Sequence, residues 1–363
     1  MRKCAMGIGL AVALFGLLGD VAFAQPRRNS LPAFTTAEEA GADFALQGEY
    51  AGAINVPGRG AERVGLQVVA LGEGKFDAVR YRGGLPGSGW DRGTKGRYSG
   101  EAASGKLNLS GAKDKVTIAE GVAVVMNDSG KELGRLPKVE RSGPSLGRSP
   151  PSGAVVLFDG GSIDHFQGGK VTPDGLLQAG ALTKAPVGAF QMHLEFRTPF
   201  MPTARGQQRG NSGVYLQQRY EVQVLDSFGL EGAENECGGL YRQTKPDVNM
   251  CLPPLAWQTY DIWFTPARFA RDGTTKTANA RISVLHNGVP IHWQRELIAK
   301  TGGGKVEAPL ALPINLQDHG NPVMFRNIWI VPGASGGYEQ VAMTNVSYEQ
   351  PRGLLRWRHR RWR

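Results

Sequence analysis

Short runs in which apolar and polar residues alternate cover most of the chain. They follow one another between Phe44 and Leu136, separated by glycine-rich and proline-rich turns, and about ten more follow between 154 and 332. A period of two is typical of half-buried β-strands, and almost no helical period of 3.6 is present. The pattern predicts an all-β protein, in which a small antiparallel barrel or sandwich precedes two packed antiparallel sheets.

Composition divides the chain into segments. Residues 137–153 are rich in Pro, Ser, Gly and Arg and lack periodic apolar positions, which is typical of a linker. A short helix is predicted over Thr36–Asp43, capped by Thr36. The predicted organisation is a signal peptide over 1–24, a small β-rich accessory domain over 36–136, the linker over 137–153, a sandwich domain over 154–350 and a basic tail over 351–363.

The N-terminus has the features of a secretory signal. Arg2 and Lys3 precede an apolar run, and Ala22-Phe23-Ala24 supplies the small residues of a cleavage site before Gln25. The apolar run is interrupted by glycines and is short for a membrane span, so an uncleaved anchor is the weaker alternative. We therefore expect a secreted or periplasmic protein.

Two cysteines, Cys237 and Cys251, remain after removal of that signal. In an exported chain, an even pair this close in sequence is typical of a disulfide closing a loop of about 15 residues. Free thiols or metal ligands are the alternatives, although no suitably spaced histidine is present to complete a zinc site. The sequence thus predicts a Cys237–Cys251 disulfide.

Positive charge is concentrated at the C-terminus. The last 12 residues, RGLLRWRHRRWR, contribute six arginines to a formal net charge of +10. Arginine with tryptophan suits an anionic membrane or cell-wall surface, with non-specific nucleic-acid binding or a solvated tail as alternatives. The rest of the chain is only mildly basic. Because the protein is expected to be exported, membrane or cell-wall contact is favoured over nucleic-acid binding.

The accessory domain contains no recognisable set of catalytic residues. Trp90 and Asp91 lie in its glycine-rich loop, GGLPGSGWD. A turn-anchoring aromatic is the simpler interpretation of Trp90, and a ligand contact is the alternative. Catalytic or binding residues are therefore expected in the second domain.

One polar-faced segment stands out there, from Arg209 to Asp226. Strand alternation places Glu221 and Gln223 on one face and the apolar Val222 and Val224 on the other. The polar positions of this segment are Asn211, Tyr215, Gln217, Arg219, Glu221, Gln223 and Asp226. They predict the floor of a polar binding groove, and an edge strand with a solvated face is the alternative.

A second polar segment begins at Pro313. Asn315, Gln317 and His319 share one face of a predicted strand, and Arg326 and Asn327 follow a Gly-Asn-Pro turn. We expect the two segments to line one groove. Trp257 has two interpretations: a residue of the core or the sandwich edge, or an aromatic residue that forms the floor of a sugar site.

Together these segments resemble the 3-keto-disaccharide hydrolase domain family. The likeness extends from about Val155 to Pro332 and includes, in order, GNSGVYLQ, YEVQVLDS, CGGLY, PPLAWQTYDIWF, HNGVPIHW and LQDHGNPVMFRNIWI. It implies a concanavalin-like jelly roll that acts on sugars already oxidised at C3. Met324 lies at a position where the resemblance leads us to expect an arginine, so there is less positive charge beside Arg326. The accessory domain and the tail lie outside the resemblance.

The resemblance implies a specific chemistry. A C3 ketone acidifies the C2 proton, so that a base can remove it, the C1 substituent can leave by β-elimination, and water can add to the enone. Glu221 or His319 is the candidate base, and Arg326 would stabilise the enolate. The candidate substrate-binding residues are Asn211, Gln217, Gln223, Asp226, Gln317, Asn327 and Trp257.

Three alternatives remain open. A divalent metal ion held by Glu221, Asp226 and His319 could assist the enolate, although no spacing dictates it. Arg326 could instead form a buried ion pair with Asp318. A non-catalytic, lectin-like sandwich would use the same groove for binding alone.

Overall fold

The computed structural model describes residues 31–93 and 95–333, and the described residues from Pro32 to Gly333 belong to one compact unit. The predicted signal peptide, Cys4 and the basic tail lie outside the described residues. Within the described part of the chain, no helix has the length and apolar character needed to cross a bilayer.

The small β-rich domain is a closed antiparallel barrel, in which eight strands pair in sequence order and β8 pairs with β1. The strands are β1 (Gly48–Val56), β2 (Gly60–Gly72), β3 (Lys75–Arg82), β4 (Gly96–Ala103), β5 (Lys106–Gly111), β6 (Asp114–Ala119), β7 (Val122–Asn127) and β8 (Glu132–Val139). Alternating residues such as Leu107, Leu109, Val116 and Ile118 fill its interior. Closure leaves no unpaired edge, which explains why so many short strands form a stable unit.

The single α-helix of the described residues, α1 (Gly41–Leu46), leads into this barrel. It starts later than the helix predicted over Thr36–Asp43, and its N-cap is Ala40, which makes no side-chain cap. Gly41 adopts a φ of 74°, so the predicted helix is interrupted within its own span.

The larger domain is built from fourteen strands and a 3-10 helix at Gly206–Gln208. In chain order the strands are β9 (Val155–Phe158), β10 (Phe166–Gly168), β11 (Leu177–Gln178), β12 (Ala181–Thr183), β13 (Phe190–Arg197), β14 (Ser212–Leu216), β15 (Tyr220–Val224), β16 (Gln258–Thr265), β17 (Arg268–Phe269), β18 (Lys276–Ala278), β19 (Ala280–His286), β20 (Val289–Leu297), β21 (Asn315–Leu316) and β22 (Met324–Pro332).

Two antiparallel sheets pack against each other in this domain. One has the order β10-β12-β21-β14-β15, the other has the order β11-β22-β13-β16-β19-β20 with β9 paired to β22, and β17 and β18 form a separate ribbon. Val214 and Val222 of the first sheet share one buried cluster with Leu194 and Ile262 of the second. The all-β, jelly-roll prediction is confirmed.

The segment predicted as a linker is ordered and packs on both domains. Its first residues belong to β8, and Arg141 binds Glu49 of the barrel through two hydrogen bonds of 2.6 Å. Farther along, Ser145 Oγ lies 2.9 Å from Thr259 Oγ1, and the Gly147 amide donates to Glu195 Oε1. The segment therefore joins the two β-structures through specific contacts, and the exact domain boundaries stay predictions.

Candidate active site

The polar face of the five-stranded sheet centres on Glu221. In the hairpin of β14 and β15, Tyr215 pairs with Glu221 and Gly213 pairs with Gln223, while Asn315 of β21 lies opposite Tyr215 on its other side. Directly paired residues project from the same face, so these five positions form one surface, which corresponds to the predicted groove and is named the Glu221 groove. The intervening residues Val214, Val222 and Leu316 face the core.

Glu221 is 3% exposed and contacts Tyr215. Burial raises the pKa of Glu221 to about 7, and the hydrogen bond from the Tyr215 hydroxyl acts in the opposite direction. The Gly303 amide in turn donates to the Tyr215 oxygen, while burial and the Glu221 charge raise the Tyr215 pKa. The result is a short chain of hydrogen bonds that ends on a carboxyl group able to gain or lose a proton near neutral pH.

Gly213 leaves room for the Glu221 carboxyl group. A Cβ at position 213 would lie 2.3 Å from Glu221 Oε1, far inside van der Waals contact. The amide of Gln223 flanks the same oxygen at 3.0 Å, and it donates to Glu221 when its nitrogen is turned that way. The Gly-Asn-Ser-Gly turn therefore shapes the carboxylate pocket as well as reversing the chain.

A glycine-rich loop, Thr301–Gly304, holds the turn end of the same hairpin. The Glu221 amide donates to Thr301 Oγ1 at 2.8 Å, and the Thr301 amide donates to the Arg219 carbonyl at 2.9 Å. Gly304 is required because a Cβ there would lie 2.1 Å from the Arg219 carbonyl oxygen. This loop lies about 80 residues from the hairpin in sequence and was not predicted to belong to the site.

Further amide side chains lie beside this surface, where Gln223 contacts Gln207, and form the amide wall of the predicted groove. Asn211 donates from Nδ2 to the Gln207 carbonyl at 2.7 Å, and its backbone amide donates to Asn321 Oδ1 at 2.7 Å. The backbone amide of Gln317 donates to the Gly213 carbonyl at 2.9 Å. Within the described chain, the buried oxygens Asn211 Oδ1 and Gln317 Oε1 have no hydrogen-bond partner. Such acceptors are uncommon in folded proteins, and a ligand hydroxyl would satisfy them.

The structure places Gln217 and His319 at the margins of this site. Gln217 adopts a φ of 51° in the hairpin turn, donates to the Val187 carbonyl at 2.6 Å and accepts from Arg219 at 3.0 Å, so its amide is already used. His319 is exposed in the loop after β21, the loop that also carries Asn321. It is therefore near the Asn211 end of the groove rather than beside Glu221.

The Asp226 carboxylate, predicted to bind substrate or metal, is already bound by protein groups. Its Oδ2 forms a buried ion pair with Arg209 Nε at 2.6 Å, and its Oδ1 accepts from the Phe228 amide at 3.3 Å. The carboxylate thus stabilises the end of β15. In the described residues, Glu221, Asp226 and His319 do not form a cluster that could hold a metal ion.

Arg326, Asn327 and Trp257 do not lie in the Glu221 groove. Arg326 and Asn327 belong to β22 in the other sheet, where both contact Glu195 and where Arg326 stacks on Trp257 at 4.0 Å. Their predicted place in the groove requires β21 and β22 to form a hairpin. Instead the chain crosses between the sheets after Gln317. The alternative Arg326–Asp318 ion pair is also wrong, and Met324 does not alter the charge around Glu221.

The Glu195 carboxylate that Arg326 contacts is part of a separate buried network. Burial raises its pKa, but hydrogen bonds from His193, Asn327, Arg326 and the Gly147 amide outweigh that effect and bring it down to about 2. His193 also contacts Asp261 at 2.8 Å. This network holds the connecting segment on the sandwich, and its strands belong to a different sheet from that of Glu221.

The predicted Cys237–Cys251 disulfide is not formed. Both residues are buried free thiols, and Cys237 Sγ lies 3.2 Å from the Tyr260 hydroxyl. Burial and the neighbouring Cys237 raise the pKa of Cys251. The two side chains are neighbours, as the sequence spacing suggested, but they interact as thiols within the core.

Comparison with known proteins identifies the sandwich. Residues 153–331 match the family described as the 3-keto-alpha-glucoside-1,2-lyase-like domain. A crystal structure described as a "putative glycosyl hydrolase" from Parabacteroides distasonis is 33% identical over 56% of this chain and 94% of its own, with a TM-score of 0.47. The chain belongs to the 3-keto-α-glucoside-1,2-lyase-like family. Membership supports a carbohydrate-active enzyme, and the matched residues contain the whole Glu221 groove but not the barrel.

A second structure from the same organism, with the same description, is 19% identical over 50% of this chain and 94% of its own, with a TM-score of 0.35. Comparison with curated proteins gives no match.

Proposed function

We propose that the protein cleaves 3-keto-glycosides, with Glu221 as the general base. The observation that carries the proposal is a nearly buried carboxyl group with a pKa of about 7 on the polar face of the sheet, within the part of the chain that matches the family. Catalytic bases are most effective when their pKa lies near the working pH. Perturbed groups of this kind are concentrated at functional sites.

In the proposed reaction, the Glu221 carboxylate removes the proton from C2 of the 3-keto sugar. The electron pair of the C2–H bond forms an enolate with the C3 carbonyl, and its collapse expels the C1 substituent, which leaves with a proton. Water then adds to the enone at C1 and a proton returns to C2, so that the net reaction is hydrolysis. An enzyme that stops after elimination would be a lyase.

Tyr215 is the group best placed to stabilise the charged form of Glu221 by a hydrogen bond. Its hydroxyl donates to Glu221 and accepts from Gly303, so it can stabilise the carboxylate before the reaction and release the hydrogen bond when Glu221 is protonated. Arg326 has no part in this step, because it is bound to Glu195 on the other sheet. Asn211, Gln223 and Gln317 supply amide groups for sugar hydroxyls.

His319 is retained as the alternative base predicted from sequence. It is exposed, whereas Glu221 is shielded from water, which strengthens electrostatic interactions at the site. We therefore assign the proton abstraction to Glu221. From the signal-like N-terminus we also infer that the enzyme is exported.

The test is turnover of a 3-keto-glucoside in D2O. The wild-type protein should release the C1 substituent and incorporate deuterium at C2, and Glu221→Gln should lower the rate by about 10²- to 10⁴-fold. Glu101→Gln, on the exposed face of β4, is the matched control and should retain full activity. Unchanged turnover in Glu221→Gln would remove Glu221 from the mechanism.

A lectin-like protein would behave differently in the same experiment. It would bind the 3-keto-glucoside without releasing its C1 substituent and without exchanging the C2 proton. Binding measured by calorimetry in the absence of turnover would therefore replace the enzymatic proposal with a binding function.

A further inference from the structure

A cleft lies between the barrel and the sandwich, and its lining shares no residue with the Glu221 groove. It has a volume of about 530 Å³, which is within the range of small-molecule sites, roughly 300–1,000 Å³. The barrel contributes a loop and the start of β4, and the sandwich contributes two loops that follow β15. The lining residues are Trp90, Arg92, Gly93, Lys95, Arg97, Glu231, Gly232, Lys245, Pro246, Asp247, Val248 and Asn249.

The positively charged side chains of this cleft outnumber its carboxylates. Lys95 and Arg97 both bind Glu231, with Lys95 Nζ at 2.7 Å, so the two cations share one carboxylate. The other acid, Asp247, is bound at 2.7 Å by Arg295. The cleft therefore has more cations than carboxylates, and both of its carboxylates already have partners.

Two cations remain without a carboxylate among the described residues. Arg92 has only a weak hydrogen bond of 3.5 Å to the Asp247 carbonyl, and Lys245 is an exposed side chain with no ion pair. Both belong to the cleft lining. A guanidinium group from the barrel and an ammonium group from the sandwich that line one cleft are suited to bind the oxygens of one anion.

The indole of Trp90 adds a further donor. Its Nε1 is buried and has no hydrogen-bond acceptor in the described part of the chain. The ring itself is fixed, because Lys95 Nζ lies 5.0 Å above it and Tyr81 packs against its edge at 5.2 Å. An indole N–H can only donate, so Trp90, Arg92 and Lys245 all require an acceptor.

We propose that this cleft binds a small ligand that carries an oxyanion, which contacts Arg92, Lys245 and the Trp90 indole. The shared chemistry is a carboxylate, sulfate or phosphate group. An acidic oligosaccharide and free inorganic phosphate are the two sources that could supply it. The site is separate from the proposed catalytic groove, so it stands or falls independently of the reaction at Glu221.

Calorimetric titration of the full-length protein tests this proposal. The titrants are digalacturonate, maltose as a neutral disaccharide of similar size, and inorganic phosphate. Digalacturonate or phosphate should bind, maltose should not, and affinity should fall as salt rises. Binding by digalacturonate alone identifies an acidic sugar as the ligand, and binding by phosphate alone identifies the free anion.

Variants locate the binding. The double variant Arg92→Ala/Lys245→Ala should lower the affinity for the anion by about tenfold or more. Lys106→Ala/Lys115→Ala removes the same charge from exposed barrel positions and should bind like wild type. Trp90→Phe keeps an aromatic ring but removes the indole N–H. It should weaken binding without loss of fold, as judged by circular dichroism. No binding of either anion, equal binding of maltose, or equal loss in the two double variants would overturn the proposal.

Discussion

Arg209 and Asp226 form a buried ion pair of 2.6 Å that also connects the barrel to the groove. Arg209 Nη1 donates to the Ala70 carbonyl of β2 at 3.2 Å, and Asp226 follows directly on the strand that carries Glu221. Arg209 lies between Gln207 and Asn211, the amide wall of the groove. The barrel thus contacts the same loop that supplies this wall, which gives a domain outside the family match a structural role beside the site.

Replacing Arg209 by Met should destabilise the protein by about 3–5 kcal/mol, because it leaves the Asp226 carboxylate buried without a partner. Arg205→Met is the control: Arg205 is exposed and binds only carbonyl oxygens, so its loss should cost about 1 kcal/mol. Urea unfolding of the two variants measures the difference. Asp226→Asn in the Arg209→Met background should recover part of the loss, and equal effects of Arg209→Met and Arg205→Met would refute a buried ion pair.

The raised pKa of Glu221 predicts a pH dependence of stability. The folded state binds the proton more tightly than the unfolded chain, so this contribution to stability is fully present below about pH 4.5 and is lost as the pH rises to about 7. Glu221→Gln removes the dependence. Relative to wild type, its free energy of unfolding should increase over that window by up to roughly 3 kcal/mol, at 1.36 kcal/mol per pKa unit. Parallel pH profiles of the two proteins would contradict the shift.

Gly213→Ala should impair activity by displacing the Glu221 carboxyl group, because the new methyl group would lie 2.3 Å from Oε1. Gly188→Ala is a suitable control, since a Cβ at Gly188 meets no atom within 4 Å and its φ is compatible with alanine. We expect a large fall in kcat for the first variant and none for the second. A Gly213→Ala protein with normal kcat and normal stability would show that the carboxyl pocket is not confined in this way.

The oxidation state of the cysteine pair can be measured directly. In a Cys4→Ser background, Ellman's reagent should detect two thiols per chain after denaturation without reductant, and almost none in the native protein because Cys237 and Cys251 are buried. Absence of thiols after denaturation would indicate that the disulfide predicted from sequence forms in solution.

Local alternation was sufficient to predict which side chains of β15 share one face. Glu221 and Gln223 point away from Val222 and Val224 because a strand has a period of two, whatever its partners are. The same rule predicted the polar face of Asn315. It could not show that Tyr215 contacts Glu221, because that contact depends on the pairing of two strands.

The errors arose where longer-range geometry decides. Nothing in the residues around Gly320 indicates that β22 joins the opposite sheet, so Arg326 and Asn327 were assigned to the wrong surface. The partner of Asp226 lies 17 positions away and that of Arg326 lies 131 positions away. Local sequence gives no sign of either ion pair, nor of the Thr301 hydroxyl that accepts from Glu221.

The ordered segment before the sandwich determines where the polypeptide can be divided. Similarity to the family begins at residue 153, yet the Gly147 amide and the Arg148 carbonyl complete the hydrogen bonding around Glu195 and Asn327. An excised sandwich that starts at 153 would expose that carboxylate to water on one side and leave the Asn327 amide short of an acceptor. The contacts that complete the sandwich therefore begin upstream of its homology boundary, and truncations should retain residues from Ser145 onward.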